Sequence, residues 1–208
     1  MLSASRYVRV LLAIPLSLGI CGPAASEVVV RNSYSYFDIR GKTADDLDRE
    51  LAKHGPSTQG NDNRHPGATR IRFGGDVTYA QRGGWCYVAN VRVTVDTQII
   101  MPRWRNRRNA EKDLSIVWDT LASDIKRHEE HHAEIARNHA RAMEKEIRKL
   151  RPQRSCETLQ RKVADESTQA IAAHDRDQAR FDRVEAVNFQ NRMTRLLYYR
   201  IRPRTGGE

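Results

Sequence analysis

The sequence predicts an α+β domain in which a small antiparallel β-sheet packs on a long antiparallel helical hairpin. Three observations carry this. Between Trp85 and Ile100, Tyr87, Ala89, Val91, Val93 and Val95 alternate with Cys86, Asn90, Arg92, Thr94 and Asp96, the period of a strand with one buried face. From Asn109 up to Pro152 there is no glycine or proline, which permits some 40 residues of helix, in one piece or with an inconspicuous break. A second long helical stretch succeeds the turn Arg151-Pro152-Gln153-Arg154-Ser155.

The 208 residues give room for one domain with a respectable core. The first 26 are set aside from it. Arg6 and Arg9 precede an apolar run from Val10 to Ile20, followed by Gly22-Pro23 and the small residues Ala24-Ala25-Ser26. This is the layout of a secretory signal peptide, and the run of about 11 residues falls short of the roughly 20 a bilayer requires. A lipoprotein signal ending at Cys21 fits less well, because Ile20 is bulky. The domain expected at 27–208 then divides into a β-rich part with one helix, 27–104, and a helical part, 109–200. The expected location is the periplasm or the extracellular space, with no transmembrane segment in the mature chain.

Taken in order, Val28-Val29-Val30 and Tyr34, Tyr36, Phe37 and Ile39 suggest one or two strands ending at Gly41. Thr43 is placed as the N-cap of a short helix, with Asp45 and Asp46 in the first turn and Leu47 and Leu51 on its apolar side. Gly55-Pro56 ends it, and the polar, breaker-rich run from Ser57 to Gly67 reads as a loop. Strand patterning resumes from Ala68 to Tyr79, and Gly83-Gly84 provides the turn of an antiparallel hairpin. Met101-Pro102-Arg103-Trp104 is expected to break the sheet. Trp104, among arginines, reads as a lid over the core edge, with a ligand-stacking role as the other reading.

Asn109 is the expected cap of the first long helix. Its apolar stripe runs through Leu114, Trp118, Leu121, Ile125, His128, His132, Ile135, His139, Met143 and Leu150, which would turn two histidines toward the core. In the second helix Cys156, Leu159, Val163, Ile171, His174, Phe181 and Val184 are the inward candidates. The C-terminal run mixes Arg192, Arg195, Arg200, Arg202 and Arg204 with Tyr198 and Tyr199. It reads as a helix end and solvated tail, or as a surface for anionic chains.

With the leader removed, Cys86 and Cys156 remain. An even pair in an exported chain reads as a disulfide, closing a loop of about 70 residues that the chain-entropy account values at roughly 4 kcal/mol. The formal charge is +10, or +8 once Arg6 and Arg9 have left. This favours contact with anionic envelope surfaces, and the location argues against nucleic acid.

The candidate chemistry lies in Arg127-His128-Glu129-Glu130-His131-His132, an H-E-x-x-H read from His128. Residues i and i+4 of a helix lie roughly 6 Å apart on one face, close enough for two imidazoles to share one zinc ion. Glu129 lies about 100° around the helix, where it could accept a proton from a polarised water as general base. Glu130 is expected to face solvent and His131 to lie on the flank. Were this only an amphipathic helix, its stripe would bury two unpaired imidazoles at a cost in free energy.

A third ligand is needed. His139 is about 10 Å along the axis from His132, too far to share its ion. A hairpin pivoting near Gln153 places His174 opposite His132, and His174 is the expected ligand, with Asp175, Asp177 and Gln178 in reserve.

The chain resembles DUF922, a family of exported bacterial proteins described as predicted secreted zinc-dependent proteases. The resemblance rests on Gly55-Pro56, Trp85-Cys86-Tyr87-Val88, Met101-Pro102-Arg103-Trp104, the His128 to His132 motif, and Cys156 with Leu159. It covers nearly all of the chain after the leader. It implies a zincin-like domain with zinc at His128 and His132, Glu129 as catalytic acid/base, and a peptide substrate. Members tend to continue past an aromatic-Asp pair into a Thr-x-His-Gly segment able to supply a ligand. Here Phe181-Asp182 leads into Arg183-Val184-Glu185-Ala186-Val187-Asn188, so His174 or a carboxylate such as Glu185 must substitute, or the site is incomplete. The functional expectation is a zinc-dependent peptidase. The rival is a non-catalytic envelope protein that binds anionic partners through its basic surface.

Overall fold

The computed structural model describes residues 27–57 and 64–202. The expected signal peptide, the middle of the 57–67 loop and the end of the tail, Arg204 included, lie outside them. Most of the architecture agrees with the expected plan: β1 (Glu27–Ile39), α1 (Ala44–His54), β2 (Ala68–Arg82), β3 (Trp85–Trp104), α2 (Lys112–Arg148) and α3 (Cys156–Ile201) succeed one another along the chain. The class is α+β.

Local chemistry explains most boundaries. Thr43 caps α1 in a reciprocal capping box with Asp46, satisfying donors that the first turn leaves unpaired. Gly83 and Gly84 both take positive φ, 57° and 76°, the two-residue turn whose twist matches a hairpin. Ser155 caps α3 by accepting from the Thr158 amide.

The sheet has the order β1-β3-β2 and is mixed rather than wholly antiparallel. β2 and β3 form the expected hairpin, but β1 runs parallel to β3, with Val28 facing Val93 and Ile39 facing Trp104. The alternation of β1 shows a strand without showing its direction. Met101-Pro102-Arg103-Trp104 does not break the sheet; β3 continues to Trp104 along β1 alone, because the β2 ladder ends at Ile100. Past that point β3 has one unpaired edge, where the missing proline N–H is tolerated. Trp104 is buried, packs edge-on against Trp118 at 5.7 Å and donates its indole N–H to the Gly41 carbonyl. It is a core residue.

The helices cover one face of the sheet. Val91, Val93 and Val95 meet Ala136, Ala140, Met143 and Ile147 in one core cluster, and Ile39, Leu47, Leu51, Trp104 and Trp118 form a second at the far end. The small residues Ala133, Ala136 and Ala140 let α2 lie close on the strands. They also rotate its buried face by about one residue, so that from Ile125 onward the stripe runs through Glu129, Ala133, Ala136 and Ala140. His128 and His132 therefore sit half-buried on the flank facing α3, not in the core as the periodicity suggests. Asn109 lies in a short 3-10 turn, and α2 begins after Glu111. On α3, Leu159, Val163 and His174 are buried as expected, while Ile171 and Val184 are exposed.

Cys86 and Cys156 are joined in a disulfide. The Cys86 and Gln153 backbones exchange hydrogen bonds of 2.7 and 3.0 Å beside it, so the helical connection is pinned to the start of β3. No helix among the described residues is long and apolar enough to cross a membrane. Replacing both cysteines by alanine should lower stability by about 2–4 kcal/mol, measured as the shift in urea unfolding between the variant and the oxidised protein.

Candidate metal centre and active-site groove

α2, α3 and the start of β2 enclose a groove of about 550 Å³. From α2 come His128, Glu129 and His132, one turn of helix that the close packing of its alanines tips toward α3. Opposite them α3 presents Gln178, Asp182 and Glu185.

His128, His132 and Asp182 bring one nitrogen or oxygen each within 4.8 Å of one another. The two Nε2 atoms are 3.0 Å apart. The Asp182 Oδ1 lies 3.2 Å from the Nε2 of His128 and 2.9 Å from that of His132. Around a tetrahedral zinc with bonds of about 2.0–2.1 Å, ligand atoms stand about 3.3 Å apart. The cluster thus needs to open by only a few tenths of an ångström, and two imidazoles with one carboxylate form a donor set that leaves a fourth position open. These residues fit a zinc ion. Phe181 packs among the rings, 4.9 Å from His128, 4.3 Å from His131 and 5.1 Å from His132, and limits their rotation.

His174 is not in the cluster. Its Nδ1 lies 2.9 Å from Asp175 Oδ1, its Nε2 faces Gln178, and its ring meets Phe73 edge-on. Gln178, one of the reserve candidates, stands between His174 and His132. The cause is a difference in register. The opposed pairs His132–Gln178 and His128–Asp182 centre on Ser155, two residues beyond the expected pivot at Gln153. Each partner therefore moves by four residues, one helical turn. Asp182 is the site residue that reasoning from the hairpin pivot misses. The aromatic-Asp pair Phe181-Asp182 is its signal in the sequence, because both members of that pair face the histidines.

Glu129 stays outside the cluster and is buried, at 5 % exposure. The Thr69 hydroxyl is 2.9 Å from both the Glu129 carboxylate and the Glu129 carbonyl. Gly67 permits this approach, since a Cβ there would sit 2.7 Å from an Ile125 methyl and 3.0 Å from Glu129 Oε1. Burial pushes the Glu129 carboxyl up, against the pull of the Thr69 hydrogen bond and of the His132 and His128 imidazoles. A carboxylate with raised proton affinity is a stronger base than an ordinary one. Burial opposes charge on His132, but hydrogen bonds to Asp182 and Gln178 outweigh it and raise its proton affinity. At Asp182 burial is likewise outweighed, and the two imidazoles hold its carboxyl well below the usual range. Glu130 accepts from the Tyr34 hydroxyl at 2.7 Å instead of facing solvent alone, and His131 is exposed on the flank.

One wall of the groove is an ion network between the helices. Arg192 grips Asp124 through two hydrogen bonds of 2.8 and 3.0 Å, and Arg127 reaches the same carboxylate at 3.0 Å. Both arginines also approach Glu185. The Asp124 side chain is only 5 % exposed. Burial opposes its ionisation, yet Arg192 and Arg127 outweigh it and hold its carboxyl below the usual range. A depressed folded-state pKa gives stability that is complete above the unfolded value, about 3.9, and is lost as pH falls through the folded one. Asp124→Asn should therefore cost about 2–3 kcal/mol at neutral pH. The difference from wild type should close as pH drops below about 4, as read by urea unfolding at neutral and acid pH.

No curated protein and no solved structure matches the chain. A family of sequences does: residues 34–190 match the family described as "Bacterial protein of unknown function (DUF922)". With most of its length covered by that match, including the His128 to His132 motif, Asp182 and the disulfide between α3 and the sheet, the chain belongs to the DUF922 family.

Proposed function

We propose that the protein is an exported zinc-dependent peptidase in which His128, His132 and Asp182 hold the metal and Glu129 is the general base. The observation that carries this reading is the pairing of a two-imidazole, one-carboxylate cluster with a buried carboxylate of raised proton affinity that is not part of it. Metallopeptidase chemistry requires both, and requires them to be distinct.

A bound zinc would supply Lewis acidity toward a carbonyl oxygen and toward water. The residues supply the rest. Glu129 takes a proton from the attacking water onto its carboxylate and returns it to the departing amine. Thr69 holds that carboxylate by its hydroxyl, and Gly67 leaves the space for it. Pro66, Ala68, Ile125, Ala186 and Phe189 give the groove an apolar lining suited to a peptide side chain and able to exclude bulk water. The disulfide supports an oxidising compartment, hence periplasm or extracellular space. The rival reading, a non-catalytic protein binding anionic partners, draws less support. Arg31, Arg103 and Arg107 on the strands and the basic loop are each paired with an aspartate, Asp96, Asp38 and Asp119.

Protein purified without chelator should carry about one zinc per chain. His132→Ala and Asp182→Ala should lose it in elemental analysis, whereas Glu129→Gln should keep it and lose about 10²–10⁴-fold in cleavage of an unfolded-protein substrate. Absence of zinc from the wild-type protein, or full activity in Glu129→Gln, would overturn the reading.

A further inference from the structure

We propose that the outward face of α3 between Arg180 and Arg202 docks the protein on an anionic lipid surface. This face lies on the opposite side of α3 from the groove, so the proposal stands apart from the zinc reading.

α3 serves two surfaces at once. Gln178, Asp182, Glu185, Phe189 and Arg192 follow a four-three spacing and line the groove. About half a turn around the same helix, a second stripe of similar spacing runs through Arg180, Val184, Val187, Asn191, Arg195, Tyr198 and Arg202. All of these are exposed. Val187 is 82 % exposed, and Val184, Tyr198 and Ile201 are each more than half exposed. A helix that packs on a core along one face ordinarily turns polar residues outward, and exposed valines at successive turns depart from that rule. An apolar patch rimmed by charge marks an interaction site.

The rim decides the partner. Arg180, Arg183 and Arg195 flank the apolar residues, and none of the three has an ion-pair partner among the described residues, in contrast with Arg31 and Arg103 on the strands. Arg202 lies over the Tyr198 ring at 5.1 Å. The two carboxylates of this stretch, Asp182 and Glu185, are turned into the groove, where histidines and arginines engage them. No acidic residue occurs between Glu185 and Glu208. The face is thus apolar with charges of one sign over about 33 Å of helix. A second copy of the chain paired along this stripe would set arginine against arginine. An anionic polymer is held by charge and by stacking on aromatic rings, and Val184, Val187 and Ile201 contribute to neither. A bilayer with anionic headgroups matches both components. The apolar side chains enter the headgroup boundary, while the arginines lay their stems along that surface and reach the phosphates.

Co-sedimentation with vesicles tests this, using the oxidised chain from Glu27 to Glu208, which holds every described element. Vesicles of phosphatidylglycerol and phosphatidylcholine in equal parts should bind it, and pure phosphatidylcholine vesicles at least about 20-fold less. Salt at about 1 M, where the Debye length is about 3 Å, should release it. Val187→Glu, at a side chain already in solvent, should match the wild type in urea unfolding and lower the partition coefficient about 10-fold. Arg183→Gln combined with Arg195→Gln should lower it about 20-fold, at about fivefold per arginine. Arg70→Gln combined with Arg72→Gln, exposed on the uncovered sheet face, removes the same charge and should change it by less than about threefold. Absence of binding to the anionic vesicles, wild-type partition in Val187→Glu, or equal losses in the two double variants would overturn the proposal. A dimer in analytical ultracentrifugation that Val187→Glu dissociates, or retention on a sulfated polysaccharide without binding to vesicles, would assign the face to another occupant and overturn it equally.

Discussion

The axial register between the two long helices decides which side chains meet His128 and His132. α2 presents its histidines on the flank that faces α3, so which side chain meets them depends only on how far one helix is slid along the other. A shift of one turn exchanges a carboxylate for a histidine. The clamp that sets this distance sits at the opposite end of the hairpin, where Cys156 is bonded to Cys86 and Gln153 is paired with the same strand. A covalent bond to the sheet, not the packing of the helices alone, fixes where α3 begins. The network of Asp124, Arg127, Glu185 and Arg192 holds the register from the other side. The groove lies between these two fixings.

This arrangement concentrates polar groups where burial is costly. Glu129, Asp124 and His174 are all nearly inaccessible, and each has a specific partner: Thr69, the two arginines, and Gln178 with Asp175. Buried charges persist when hydrogen bonds and opposite charges satisfy them. Compared with Asp124, Glu129 has the weaker compensation, a hydroxyl in place of a cation, and its proton affinity rises. The environment thus separates carboxylates by proton affinity. Asp182 and Asp124 are stabilised as anions, and burial raises the proton affinity of Glu129.

Much of this is legible in the residue pattern, and the gaps have physical causes. The capping of α1 by Thr43, the Gly83-Gly84 hairpin, the long helices and the Cys86–Cys156 pair depend on local chemistry or on simple arithmetic of cysteines, and all are present. The direction of β1 depends on a partner 65 residues away, Val28 against Val93, and nothing near β1 encodes it. Periodicity misplaces the buried face of α2 because hydrophobicity marks large side chains, whereas the close approach to the sheet is made by alanines. Glu129, not His128 or His132, consequently points inward. His174 is buried and faces α2, as its spacing implies, but its role does not emerge from burial, because a pivot displaced by two residues substitutes Gln178 and Asp182 at the positions that count.

The strand order also dictates a sequence of events. β3 occupies the centre of the sheet and is joined to β2 through a two-residue turn, so their pairing closes only a short loop. β1, though it comes first in the chain, can dock only after β3 exists, and it must close a loop spanning α1 and the whole hairpin. Loop closure over such separations is the slow part of assembling a sheet. Within the sheet β1 therefore joins after the β2–β3 hairpin, and until it does the β1-facing edge of β3 stands open, a site where another chain could pair in its place.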